Sequence, residues 1–328
     1  LGISLNPSTS IAAATYNITA ITQNGLVASA GNPATGNGLA ANIIADDAFT
    51  NNTNAAVNVV YTVVPVSAAG CLGNPFTLTV TVNPEPIVAD QTRTVCSDAP
   101  LGVNFNSSTS VAATTYNVTA LDLNGLTVSA GGAAVANGLT ADALANDAFT
   151  NTTNAAKNVV YTVVPVSAAG CLGNPFTVTV TVNPEPVVAN QNVTACSDSP
   201  LTGFTLGNDT DGAPTVVSYN ITNINLNGLS VSAGSPTTGT GLLANVLADD
   251  AFTNTTSTAK DVVYTIVPVG DNGCVGNPFT VTATIKPEPV VANQLKSICS
   301  DGPLGISLNP STSIAAATYN ITAITQNG

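Results

Sequence analysis

The chain has 328 residues, of which 44% are hydrophobic and only 7% charged, and it contains no His, Trp or Met. Its net charge is −13 with five basic residues, too few cations to neutralise nucleic-acid phosphates and the wrong sign for an anionic membrane surface. No apolar run approaches the roughly 20 residues of a spanning helix, so neither nucleic-acid binding nor membrane insertion of this segment is expected. Val and Thr, which suit pleated half-buried surfaces, dominate together with the turn formers Asn, Gly and Pro, and an all-β chain is expected.

In chain order, Tyr16-Asn17-Ile18-Thr19 reads as extended, and Asp46-Asp47 precedes Phe49. Val59–Val66 is apolar but interrupted by Tyr61, Thr62 and Pro65, which marks a strand. A Gly-Cys-Leu-Gly turn at Cys71 and a Pro84-Glu85-Pro86 linker follow, and the order then recurs. Residues 58–77 are repeated letter for letter at 158–177 and closely at 261–280, steps of 100 and 103 residues. The three extra residues fall between Cys196 and Tyr219, so the GNDTDGAPT stretch there is expected to be a surface loop. Residues 1–25 are identical to 304–328, which implies recent duplication of a three-domain block and ends that are arbitrary cuts in a longer array.

The expected domains are 1–86 (a repeat truncated at its N-terminus), 87–186, 187–289, and 290–328 as the start of a fourth copy. In the middle repeat, Leu101–Phe105 reads as a short first strand. Thr115–Leu121 and Leu126–Ala130 flank the Asn124-Gly125 turn signal. Residues 131–157 read as loops, short strands and one helical turn. Val159–Val166 and Phe176–Val182 are strands, the latter alternating so that Val178, Val180 and Val182 face the core. About seven strands in about 100 residues suggest an immunoglobulin-like sandwich. The expected fold class is thus all-β: tandem β-sandwich domains in an extended array, with stiff Pro-Glu-Pro linkers.

The six cysteines alternate between G-C-[LV]-G (Cys71, Cys171, Cys274) and C-S-D (Cys96, Cys196, Cys299) contexts. With the first strand parallel to the last, and the C-S-D cysteine placed ahead of the first strand, Cys96 would meet Cys171 and Cys196 would meet Cys274. Cys71 and Cys299 would pair outside this segment. Disulfides imply an oxidising, extracellular setting.

Without His and with sparse Lys, general acid–base or nucleophilic catalysis lacks its usual groups, and an enzyme is not expected. The recurring Asp46-Asp47, Asn146-Asp147 and Asp249-Asp250 read as caps or Asx turns ahead of Phe49, Phe149 and Phe252, with calcium as the alternative. Asp209 and Asp211 resemble the start of an EF-hand loop but lack its later ligands. Glu85 with Asp98, and Glu185 with Asp198, flank junctions where calcium could also sit. No other cofactor is expected. Sequons such as those at Asn17, Asn51 and Asn192 arise readily in an Asn/Thr-rich chain.

The motifs Y-N-[IV]-T, D-A-F-T-N, V-V-Y-T-[IV]-V-P-V, G-C-x-G-N-P-F-T and N-P-x-P, followed by C-S-D, resemble the PKD-like repeats of very large surface proteins of Bacteroidetes-type bacteria, including gliding-motility adhesins. The resemblance covers the whole chain, although the W-D-F-G-D-G signature of typical PKD domains is absent. It implies an exported stalk or filament with no catalytic residues to transfer. The expected function is a structural segment projecting a distal tip for adhesion or gliding, partnered by neighbouring repeats of the same chain. The alternatives are repeats that bind glycan or a protein partner directly, and repeats that self-assemble with identical chains into a fibre, including by donation of a first strand.

Overall fold

A computed structural model describes residues 2–5, 11–212, 214–308 and 313–326. The described residues form twenty strands and no helix. Chain contacts divide the molecule into two compact units, Leu1–Thr150 with Asn158–Thr181, and Asn151–Lys157 with Val182–Gly328.

In the first unit, the opening repeat holds β1 (Ala13–Thr22), β2 (Val27–Ala30), β3 (Gly36–Leu39), β4 (Ala48–Thr50), β5 (Val57–Ser67) and β6 (Phe76–Val82). The order β3-β1-β5-β6 makes one antiparallel sheet, and β2-β4 makes a two-stranded second layer. The middle repeat gains a strand at the front: β7 (Gln91–Cys96), then β8 (Ala113–Asp122), β9 (Thr127–Ala130), β10 (Ala136–Leu139), β11 (Ala148–Thr150), β12 (Lys157–Ser167) and β13 (Phe176–Asn183). Its larger sheet is five-stranded, β10-β8-β12-β13-β7.

The second unit contains β14 (Gln191–Cys196), β15 (Val216–Asn225), β16 (Ser230–Ala233), β17 (Gly239–Leu242), β18 (Ala251–Thr253), β19 (Lys260–Gly270) and β20 (Phe279–Lys286). Their order, β14-β20-β19-β15-β17 with β16-β18 opposite, repeats the same plan. The first strand runs parallel to the last, from Gln191 beside Val281 to Cys196 beside Lys286.

Side-chain parity explains the sandwich. In β20, Phe279, Val281, Ala283 and Ile285 are buried while the intervening threonines are half-exposed, as a strand with one wet face requires. These residues join Leu201, Tyr219, Ile221, Leu247, Phe252 and Tyr264 in one core. Each Asn-Gly pair (Asn24-Gly25, Asn124-Gly125, Asn227-Gly228) takes positive φ at both residues, the geometry of a type I′ turn. The turn delivers the chain from the larger sheet into the smaller one, since β1 and β2 lie in different sheets.

Two expectations are corrected. Leu101–Phe105 is not a strand; its backbone instead ties to the loop ahead of β11, through Leu101 N–H to Asp147 O (2.9 Å) and Phe105 N–H to Ala141 O (2.8 Å). The helical turn expected within 131–157 is a run of tight turns, Ala143 N–H to Thr140 O, Ala145 N–H to Asp142 O and Asp147 N–H to Leu144 O. The GNDTDGAPT stretch is a loop over its described residues, Ala213 lying outside them.

Candidate functional site

The recurrent aspartates lead into the core. Asp47, Asp147 and Asp250 are buried, and each accepts a hydrogen bond from a fully buried tyrosine: Tyr61 (2.6 Å), Tyr161 (2.8 Å) and Tyr264 (2.7 Å). Asp147 also accepts from Gly132 N–H at 3.0 Å. A buried carboxylate is costly unless bonded, and these donors supply the bonds. Burial pushes the Asp250 carboxyl up, the Asp249 charge adds to that, and the Tyr264 hydroxyl pulls the other way. Burial, then the bond to the carboxylate and its charge, push the three tyrosine hydroxyls well above the ordinary phenol range. Asp47, Asp147 and Asp250 are therefore core acceptors, and the cap or Asx-turn reading is corrected. Asp46 and Asp249, their neighbours, are exposed.

The glycine two strands away is set by this pair. Gly131 has φ +81°, and a β-carbon there would stand 2.3 Å from Asp147 Oδ1 and 2.6 Å from Asp147 Cα; Gly31 and Gly234 repeat the arrangement.

Asp209 organises its own loop, accepting from Val187, Asp211 and Gly212 N–H at 2.7–3.0 Å. Asp98 and Asp198 accept from Thr150 and Thr253 hydroxyls, both at 2.6 Å. No group of three or more His, Cys, Asp or Glu able to hold a metal occurs among the described residues.

The cysteines correct the sequence reading most sharply. Cys96 and Cys274 are disulfide-bonded, whereas Cys71, Cys171, Cys196 and Cys299 are free thiols. The expected bonds Cys96–Cys171 and Cys196–Cys274 are absent. The first strand does run parallel to the last, but the C-S-D cysteine ends that strand instead of preceding it. Cys196 sits beside Lys286, at the C-terminal pole of its repeat, with Ser197 N–H donating to Lys286 O at 2.8 Å. Cys274 lies in the turn before β20, at the opposite pole. The seven residue steps of β20 from Phe279 to Lys286 separate those poles by about 23 Å at 3.3 Å per residue, well beyond the roughly 7 Å a disulfide allows.

The poles are also where linkers seat. In the first unit, a β-carbon on Gly173 would stand 1.9 Å from Pro86 O, so the linker lies flush on the G-C-L-G turn. Asn54–Ala56, Asn83 and Pro84 face Val111 and Ser167–Ala169 across a cleft of about 210 Å³. Asp90 then accepts from Thr177 N–H (2.6 Å), pinning the linker's end to β13. In the second unit, Gly276 stands in the same relation to Pro186 O (2.0 Å), Asn272 Nδ2 donates to Pro184 O (2.9 Å), and Asn190 accepts from Thr280 N–H (2.7 Å).

A PKD-like domain model matches residues 27–86, 93–186 and 193–289. The chain belongs to the PKD-like domain family. The structure of human protocadherin-24 EC1-2 aligns at 14% identity over 63% of this chain and 100% of that one (TM-score 0.27). Chicken CNTN1 FN1-FN3 aligns at 10% identity over 70% and 78% (TM-score 0.30), and the Clostridium thermocellum CbhA fibronectin(III)-like modules at 14% over 61% and 91% (TM-score 0.23). No curated protein sequence matches the chain. In the middle and third repeats the G-C-[LV]-G turn thus seats a linker, and in all three repeats an aspartate–tyrosine pair is buried in the core.

Proposed function

We propose that this chain is a non-catalytic spacer segment of an exported cell-surface protein, its PKD-like repeats forming a stalk or filament that carries a distal tip for adhesion or gliding. The carrying observation is that the recurrent polar residues are spent on internal bonds, repeat after repeat: aspartate on tyrosine and asparagine on strand carbonyl. An array that bears load needs such rigid, equivalent joints, and the linker prolines stiffen them. The oxidised state of Cys96 and of Cys274 fits an oxidising exterior. Six of the seven tyrosines are buried, committing to the core the aromatic rings that would otherwise stack on glycan.

Immuno-electron microscopy of intact producing cells, with antibody raised against residues 91–186, tests this reading. Label along threads leaving the cell supports it. Label confined to the cytoplasm or the medium overturns it and favours a secreted binding module.

A further inference from the structure

The first strand of the middle repeat carries a cation where the third repeat carries a core residue. QTRTVC of β7 and QNVTAC of β14 match position for position. Alternation turns Gln191, Val193 and Ala195 to the inner face of β14, and Val193 and Ala195 pack against the core. The same alternation puts Gln91, Arg93 and Val95 on one face of β7. Arg93 is the single arginine of the chain.

Gln91 and Arg93 line a cavity of about 170 Å³ with Gly102, Asn104 and the buried Val178. A β-carbon on Gly102 would meet only the Arg93 guanidinium, 3.8 Å away. The Gln91 Nε2 group is buried and has no hydrogen-bond partner, a costly state for a donor. No aspartate or glutamate lines the cavity, although the chain carries 18 of them. A guanidinium, a buried amide donor and a second amide thus share one small space that holds no anion of the protein's own.

The third repeat lacks the set. Val193 stands in place of the cation, Gly207 closes against Gln191 Nε2, and the atom of Gln191 without a partner is the acceptor Oε1. The sequence repeats the set at Gln294, Lys296, Gly305 and Ser307, with a cation again two residues after the glutamine.

We propose that this cavity of the middle repeat binds a carboxylate group, its oxygens accepting from the Arg93 guanidinium and from Gln91 Nε2. The planar guanidinium fork matches a carboxylate in geometry. A carboxylate offers about four lone-pair sites, enough for the second donor as well. At about 30 Å³ per water, the space holds on the order of five waters, room for a carboxylate and its first carbons. The rest of a larger ligand stays outside, so the group can belong to a free small acid or to a uronate unit of an acidic saccharide.

As the only arginine, Arg93 gives one guanidinium Nε–H resonance, and titration of the 328-residue chain with sodium acetate or sodium glucuronate reads the site directly. With sodium chloride holding the ionic strength constant, we expect saturable shifts of Arg93 Nε–H and of the Gln91 side-chain amide, in the millimolar range. Equal midpoints for the two salts would show that the carboxylate alone is recognised, and a tighter midpoint for glucuronate that the sugar ring adds contacts; both support the site. Arg93→Val copies the third repeat, and an unchanged thermal midpoint will show that it folds. Followed at Gln91, it should weaken acetate binding about ten-fold or more, the loss of a bond to a charged group, whereas Arg93→Lys should keep part of the affinity. If Arg93 only guards the strand edge against pairing, the shifts will not saturate, which would overturn the proposal. Affinity unchanged in Arg93→Val, or sulfate bound more tightly than acetate, would overturn it too.

Discussion

Tyr161 and Asp147 show how one residue pair sets local stability. The hydroxyl is fully buried and its partner carboxylate nearly so, and the bond between them is 2.8 Å. Tyr161→Phe keeps the ring and removes the donor. The expected cost is about 1–3 kcal/mol, the range for stranding a buried polar group, read as a lower thermal midpoint. Gly131→Ala should also lower the midpoint, since its β-carbon meets the Asp147 carboxylate at 2.3 Å and backbone at 2.6 Å and its φ is +81°. The same tyrosines fix behaviour in alkali. Their folded pKa values are raised above the unfolded value of about 10. The stability they contribute is therefore full below about pH 10 and is lost as pH rises beyond it. Phenolate absorbance from Tyr61, Tyr161 and Tyr264 should appear only together with loss of the β-sheet circular dichroism signal, not before it.

Strand parity was the legible part of the sequence. FTVTVTV announces one buried and one wet face, and β13 has them; the Asn-Gly pairs announce turns with positive φ and make them. What failed was placement at the margins. QNVTAC, with its single Val between polar residues, carries too little alternation to be read as a strand, yet β14 forms because β20 offers it a parallel ladder. Missing that strand put the cysteine at the wrong pole and produced the wrong pairing. The aspartates misled for a related reason, because local sequence shows the turn and not the tyrosine fourteen residues away that claims the carboxylate. Another element went unread altogether. Asn254 is fully buried; its Nδ2 donates to Thr258 O and Ile285 O, and its Oδ1 accepts from Thr256. It clamps the loop after β18 to the last strand. Asn254→Ala should cost about 1–3 kcal/mol in denaturant unfolding, and Asn254→Asp more, because it turns an acceptor toward two carbonyls.

At the scale of the whole molecule, the repeats are similar in sequence and differ in what covers the last strand: β7 covers β13 and β14 covers β20. The core of the third repeat draws all its buried members from Val188 to Ile285, and its edge is closed by β14. Residues 187–289 should therefore fold alone, with one cooperative thermal transition. The opening repeat keeps Tyr16, Ile18, Val59, Tyr61 and Val63 buried, but Phe76, Leu78, Val80 and Val82 only partly so. Apolar area left in contact with water contributes nothing at roughly 25 cal/mol per Å², and an uncovered ladder edge leaves the amides of β6 less protected. Hydrogen exchange should show the difference within one chain. Amides of β6 in the 328-residue chain should exchange faster than their counterparts in β13 and β20. Equal protection in β6 and β20 would mean that a parallel strand beside the last one is not what protects its amides.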